Sequence, residues 1–482
     1  MERGNPLRAF VTRLGELFTG AAPASGARGG AGIASEPGTV VLDPRARLQV
    51  VEGWGTSLCW WAVVSGAWSE PARTRLADLL FDPVDGLGLN VVRYNIGGGD
   101  DPAHHHMRVG GAVPGYQPRQ GEWDWTQDAG QRWMLAAATE RGAGIAEAFA
   151  NSPPYWMTRS GCSAGAGDAG DNLRDDAVDL FSSYLAEVVA HFAAAWGVTF
   201  RTIEAFNEPL QTNWRSMNGQ EGCHWSRPLQ ARVIASLSTA LSQRGAATTI
   251  AADDEFRIDD LLDTFASYGP RVQALTAQFN THSYSGSRRA EVKTMAAAAG
   301  KRLWMSEWGG SRGPHDHQAM DTPLMLSGQI RMDMDVLGPS AWVYWQAVEQ
   351  EANHNWGLIH ADLAGTSEGI SITKSYYAMG QYSRFIRPGF ILIQSTEATL
   401  AAFDEATGTI VAVCENAGAT ETALTLDLRA FGLTGALSAA SRRTSATEDL
   451  VSLPDVPLRG GVLLLTLPAR SITTVVVAPN TA

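Results

Sequence analysis

Cysteine is scarce in this chain: four residues in 482, at Cys59, Cys162, Cys223 and Cys414. So few and so scattered, they cannot form a disulfide scaffold, and without any CxxC pair the usual zinc-finger spacing is missing. Long runs of one charge are also missing. The formal net charge is −13, and no Lys/Arg stripe is present to track a phosphate backbone, so nucleic acid is not an expected partner. No run of about 18 apolar residues occurs, and no membrane span is expected. Residues 1–38 are rich in Ala, Gly, Arg and Ser and read as a disordered tail. They lack the apolar centre, about 7–15 residues long, of a secretory signal. All 16 tryptophans and all 10 histidines precede Met379. That step in composition marks a domain boundary beside Tyr376-Tyr377, with the chemistry on its N-terminal side.

What is present is a repeating alternation. Eight apolar, strand-like runs occupy 51–58, 89–96, 144–150, 199–206, 248–252, 277–282, 302–306 and 340–345. Amphipathic helical stretches separate most of them, at 69–81, 128–141, 175–196, 228–244 and 318–336. Near-continuous apolar strands alternating with helices mean a parallel sheet covered on its outer face. Eight such units fit a (β/α)8 TIM barrel better than an open doubly wound sheet. Gly97-Gly98-Gly99 is a bare glycine run, and no GxGxxG or Walker motif follows any strand. Beyond Ser383 the pattern becomes short alternating strands at 389–393, 399–403, 410–414, 422–428, 462–467 and 471–477, as in an antiparallel β-sandwich. The expected organisation is therefore a tail over 1–38, a strand over 39–50 joining the sandwich, a catalytic barrel over 51–378 and the sandwich over 379–482.

Barrel active sites lie at the C-terminal ends of the strands. Those ends carry Trp60-Trp61, Arg93-Tyr94-Asn95, Asn151 to Trp156, Asn207-Glu208, His282-Ser283-Tyr284, Glu307-Trp308 and Trp345-Gln346. Aromatic faces beside amide, Arg and carboxylate groups are what a sugar requires. The expected substrate-binding set is Trp60, Trp61, Arg93, Asn95, Asn151, Trp156, Asn207, His282, Tyr284, Trp308 and Trp345. Glu208 and Glu307 each end an apolar run, on the fourth and seventh strands, across the mouth from one another. Alone, either carboxylate could cap a turn. Together they are the apparatus of a glycosidase, one protonating the leaving oxygen and the other attacking the sugar. Asp253-Asp254-Glu255 ends the fifth strand and could line the cleft, although a solvated loop or a helix start before Arg257 is the preferred reading. His104-His105-His106 and His315-Asp316-His317 lack metal-binding spacing, so neither metal nor cofactor is expected. Cys162 and Cys223 follow neighbouring strand ends, so their Cα atoms are expected within disulfide range, about 4.4–6.8 Å. Cys59 and Cys414 are expected as free thiols.

The segments Gly53 to Trp61, Arg93 to Gly98, Ala150 to Met157, Phe206 to Pro209, Gln220 to Cys223 and Ser306 to Gly309 resemble glycoside hydrolase family 30. The likeness is strongest to its endo-β-1,6-galactanase branch and runs from about residue 39 to the C-terminus. It implies a barrel with a side sandwich and a retaining double displacement without cofactor. It also implies Glu208 as acid/base, Glu307 as nucleophile, Asn207 on the 2-hydroxyl, and Arg93 keeping Glu307 ionised. Glu208, with no cation in view, is expected to be the protonated partner. The expected substrate is β-1,6-galactan or a galacto-oligosaccharide, acted on by a monomer. The alternatives are β-1,6-glucanase, glucosylceramidase or xylanase activity, or a carbohydrate-binding protein without catalysis. Secretion is expected from the substrate class. With no signal peptide in view, the cytoplasm is the alternative.

Overall fold

The apolar runs become the staves of a closed parallel barrel. Numbered along the chain, its strands are β3 (Gly53–Ser57), β4 (Val91–Asn95), β5 (Ile145–Phe149), β6 (Thr202–Glu204), β7 (Thr249–Arg257), β8 (Thr276–Ser285), β9 (Arg302–Trp308) and β10 (Ala341–Gln346). Each pairs in parallel with the next, and β10 closes on β3. The computed structural model describes residues 38–313, 316–350, 356–365, 367–396, 398–434 and 437–478. The expected tail, up to residue 37, and His315 lie outside the described residues.

Sequence accounts for the outer helices. Arg227–Gln243 starts with Pro228, whose missing N–H costs nothing in a first turn. It buries Leu229, Val233, Ile234, Leu237 and Leu241 along one stripe. Val178–Trp196 stops at Gly197, which takes φ +68°, the left-handed turn that glycine makes without steric penalty. Its 19 residues would be long enough to cross a membrane, but half of its length is buried inside the protein. It also carries Asp179, Glu187 and His191, as a core-facing helix can on its outer side. Inside the barrel, the N-terminal layer is a small apolar plug of Val91, Trp304, Ala341 and Val343. Above it the filling turns polar. A short sheet of β11 (Val348–Gln350), β12 (Ile359–Ala361) and β13 (Ile370–Ile372) follows the last stave and was not expected.

The second unit is a two-sheet sandwich. One sheet runs β1 (Thr39–Val41), β17 (Thr422–Asp427), β20 (Val462–Leu467). The other runs β19 (Glu448–Pro457), β18 (Ser438–Ser445), β21 (Ser471–Val477), β16 (Ile410–Asn416), β15 (Thr399–Phe403), β14 (Ile391–Ile393), β2 (Arg47–Val50). The N-terminal segment thus feeds both sheets. β1 pairs in parallel with β17, and β2 pairs antiparallel with β14, after a turn held by Arg45 on Asp43. The β18–β19 hairpin was not foreseen. Its sequence is Ser-, Arg- and Thr-rich with two prolines, and most of β19 faces solvent, so it carries little apolar alternation.

The units divide differently from the expected spans of 51–378 and 379–482. Val51, Gly310–Arg331 and everything from Lys374 onward cluster with the sandwich. Side-chain contacts explain this. Gln381 of helix Lys374–Ser383 bonds Thr444 and Thr474, while Ser327 meets Tyr382 and Asp321 pairs with Arg470. A step in Trp and His content cannot register such contacts.

Candidate active site

Arg93 points inward from β4 and is completely buried. Its guanidinium reaches three carboxylates: Asp254 at 2.6 Å, Glu307 at 3.1 Å and Glu147, an ionic contact at 3.6 Å. The ring of Phe149 lies 4.0 Å beneath it. A buried arginine is tolerable only with such partners, and three carboxylates around one cation call for a second positive charge. His282 on β8 supplies it. Its Nδ1 lies 3.1 Å from Glu208 and 3.4 Å from Glu307, and its Nε2 lies 3.2 Å from Asp254, off the line of a good hydrogen bond. Burial works against the imidazolium, but the charges of Glu307 and Asp254 prevail and lift its pKa to about 10. His282 is therefore a cation at neutral pH.

Carboxylate oxygens of Glu208 and Glu307, with the His282 nitrogen, lie within 4.8 Å of one another. The expected pair therefore does converge. Glu307 accepts from Arg93 on one oxygen and from the Tyr284 hydroxyl, at 3.0 Å, on the other. Burial pushes its carboxyl up, to about 7, against the pull of His282 and Arg93. Two expectations are corrected here. Arg93 does not by itself hold Glu307 in the ordinary carboxylate range, because complete enclosure outweighs it. Nor is Glu208 without a cation, since His282 is its partner.

Asp254 takes the less favoured of its two expected readings. Expected in a solvated loop, Asp253, Asp254 and Glu255 are all buried. Burial alone would raise Asp254, yet Arg93, His282 and the Ser306 hydroxyl, 2.5 Å away, bring it below the usual range. Asp253 and Glu255 have no such cover and are pushed up by burial, Glu255 to about 8. Glu147 was missed. It accepts from Thr202, Gln278 and Asn280 and sits at about 6, raised by burial and lowered by Arg93. The signal was available: a buried arginine at a strand end has to be answered by acids on neighbouring strands.

The backbone is shaped to present these groups. Glu208 and Asp254 both take positive φ, +48° and +58°, and the Glu208 N–H donates to the Asp254 carbonyl at 2.9 Å. Trp214 donates its indole N–H to the Glu208 carbonyl, and a Cβ at Gly222 would meet the Trp214 ring at 2.3 Å. The glycine run gains a purpose too. Gly98 N–H donates to Glu221, and a Cβ there would sit 2.6 Å from the Pro153 carbonyl.

The remaining expected residues divide. Asn95 bonds Glu221 and accepts from the Asn151 N–H. Asn151 and Asn207 each keep a buried side-chain oxygen without a protein partner, as does the indole N–H of Trp60. Trp60 meets Trp345 edge-on at 5.2 Å, with Arg108 over its face. Trp156 is half-buried and donates to Gln117. Trp61 and Trp308 are buried as deeply as Trp60 and Trp345, and the Trp308 indole N–H likewise has no protein partner. Trp61 donates to Ser57 O, and Trp308 packs on Trp342 and Tyr344. Trp61 opens a short helix, Trp61–Ser65, and Trp308 ends β9 just past a register shift against β10. The expected Cys162–Cys223 bridge is absent. All four cysteines are free. Cys223 turns to the His224 carbonyl, while Cys162 faces Asp100 and His106.

The profile of O-glycosyl hydrolase family 30 matches residues 37–299. An endo-β-1,6-galactanase of Hypocrea rufa is 32% identical over 88% of this chain and 91% of its own length. An exo-β-1,6-galactobiohydrolase of Bifidobacterium longum subsp. longum is 26% identical over 66% of this chain and 28% of its own. Among solved structures, a conserved exported protein from Bacteroides fragilis superposes with a TM-score of 0.79 at 23% identity, over 91% of this chain and all of that one. The match over more than half of the chain and the identity to the galactanase agree with the closed barrel and the paired carboxylates: the chain belongs to O-glycosyl hydrolase family 30.

Proposed function

We propose that this glycoside hydrolase cleaves β-1,6-linked galactan with retention of configuration, by double displacement between Glu307 and Glu208. The observation that carries the reading is the approach of the two carboxylates to within 4.8 Å around His282. Retaining enzymes hold their carboxyl groups about 5–5.5 Å apart, whereas inverting ones need about 6.5–9.5 Å for a water. Glu307, with Arg93 and Tyr284 fixing both oxygens, is oriented to attack the anomeric carbon. Glu208 donates its proton to the departing oxygen. Once Glu307 is esterified its charge is gone, and Glu208 no longer shares His282 Nδ1 with a second carboxylate. The ionised Glu208 then suits its second task, taking a proton from the incoming water. The open oxygen of Asn207 can accept from the sugar 2-hydroxyl.

The linkage rests on the two relatives, whose names specify β-1,6-galactan chemistry. A polymer of that kind is met outside cells, so export is the compartment that fits. The test offers the enzyme β-1,6-galactan, β-1,6-glucan and xylan and follows the first sugars released by NMR. Galactose or galacto-oligosaccharides appearing first as the β anomer are expected. Comparable release from xylan would overturn the linkage, and a first-formed α anomer would overturn retention.

A further inference from the structure

Away from the catalytic pair, four side chains with metal-ligand chemistry converge. Asp100, His104 and His106 come from the long connection after β4, and Cys162 from the connection after β5. One ligand atom from each lies within 4.8 Å of all the others. His106 Nε2 is 2.9 Å from Asp100 Oδ2 and 3.5 Å from Cys162 Sγ. His104 Nδ1 is 3.1 Å from the same Asp100 oxygen, and Cys162 Sγ is 4.0 Å from it. Zinc with arms of about 2.0–2.3 Å would set tetrahedral ligand atoms roughly 3.3–3.8 Å apart. The observed separations straddle that range.

The surroundings orient these atoms inward. His106 Nδ1 lies 2.5 Å from the Asn218 carbonyl, which can only accept, so the ring hydrogen belongs there. In the neutral ring this leaves the Nε2 lone pair directed at a carboxylate oxygen and a sulfur. With Cys162 as the thiolate, three electron-rich atoms would face one another, an arrangement that a cation between them would settle. A histidine committed at its far nitrogen to a carbonyl is the arrangement that metal sites use to fix the tautomer. The second oxygen of Asp100 accepts from the Ser163 N–H, and Cys162 Sγ accepts from the Ala164 N–H. Cys162 is 1% exposed, and the side chains of Asp100 and His106 are 7% and 10% exposed. A buried carboxylate and thiolate are together neutralised by one divalent ion.

We propose that Asp100, His104, His106 and Cys162 form a closed, structural zinc site. Thiolate and imidazole donors favour zinc over calcium or magnesium, and four protein ligands leave no open position for catalysis. The ion would tie the connection after β4 to the one after β5 and, through His106 and Asn218, to the one after β6. The site does not depend on the glycosidase reading.

The test uses the full chain without a histidine tag, incubated with zinc chloride, dialysed, and measured for metal. One zinc per chain is expected, lost in Cys162→Ser and His106→Gln. With cobalt in place of zinc, a thiolate-to-cobalt charge-transfer band is expected in the wild type and absent from Cys162→Ser. If the variants fail to fold, wild-type protein is alkylated natively with and without a chelator. Cys162 should react only after zinc is removed. A substoichiometric metal content, zinc held equally by both folded variants, or alkylation indifferent to zinc would each overturn the site.

Discussion

Halfway up the barrel, the positions that branched aliphatics ordinarily fill hold Arg93, Glu147, Asp254, His282 and Glu307. At comparable depth the sandwich holds Leu426, Leu463, Leu465, Ile393 and Val475. Both interiors are enclosed, but they are held together differently. In the sandwich each side chain contributes by leaving water, about 1.5–3 kcal/mol apiece, and no neighbour is indispensable. In the barrel each charge is tolerable only while its partners remain, so the network works as a unit. That contrast predicts how each part fails.

Removing either carboxylate of the proposed catalytic pair should have the largest effect. Glu307→Ala should lower galactan hydrolysis by more than about a thousandfold, and added azide should return a product of inverted configuration. Glu208→Ala should lose about a hundred- to ten-thousandfold on galactan, but far less on aryl glycosides with good leaving groups. Azide should then give the retained product. If Glu307→Ala hydrolyses galactan near the normal rate without azide, the pair is wrongly assigned.

Next comes the cation beneath them. Arg93→Met keeps much of the volume but strands Glu147, Asp254 and Glu307. Urea unfolding should register a loss of about 3–5 kcal/mol. A variant as stable as the parent would mean that the carboxylates do not depend on Arg93. The matching change in the sandwich is Leu426→Ala, which should cost about 2–5 kcal/mol by leaving a cavity. Turnover per folded molecule should be unchanged. Loss of turnover there would blur the contrast between the two interiors.

The smallest effects are in pH. His282 has a folded pKa of about 10, above the ordinary histidine value of 6.5. Its charge therefore stabilises the fold fully below about pH 6.5, and that contribution declines as pH rises through about 10. Unfolding midpoints measured across that window should fall for the parent and fall less for His282→Gln. Glu307, near 7, should set the acid limb of kcat/KM. Removing the His282 charge should move that limb to higher pH, because the carboxylate loses a cation that favoured it.

The barrel was legible because its strands are long apolar runs and its helices alternate regularly. Glu208, Glu307 and Arg93 also stood out, each at the end of such a run, and the structure brings them together. Less legible was everything that depends on which side chains meet across the barrel. Asp254 looks like one acid among three until Arg93 and His282 are seen on either side of it. Trp61 and Trp308 look like sugar platforms until their contacts are seen, with Ser57 for one and with Trp342 and Tyr344 for the other. The β18–β19 hairpin was invisible for a different reason: little of β19 is buried, and a strand that buries little leaves little pattern.

The left-handed backbone at Glu208 bears on how this enzyme could be engineered. A residue with a Cβ held at φ +48° sits in a conformation costing roughly 1–2 kcal/mol, which glycine escapes. Glycine returns part of that through its looser unfolded chain. His282 would keep Glu307 and Asp254 as partners, so Glu208→Gly should be at least as robust to heat as the parent while losing the proposed proton donor. At this one position thermal selection and catalytic selection pull apart, and a library screened for heat resistance alone would drift toward dead enzyme there.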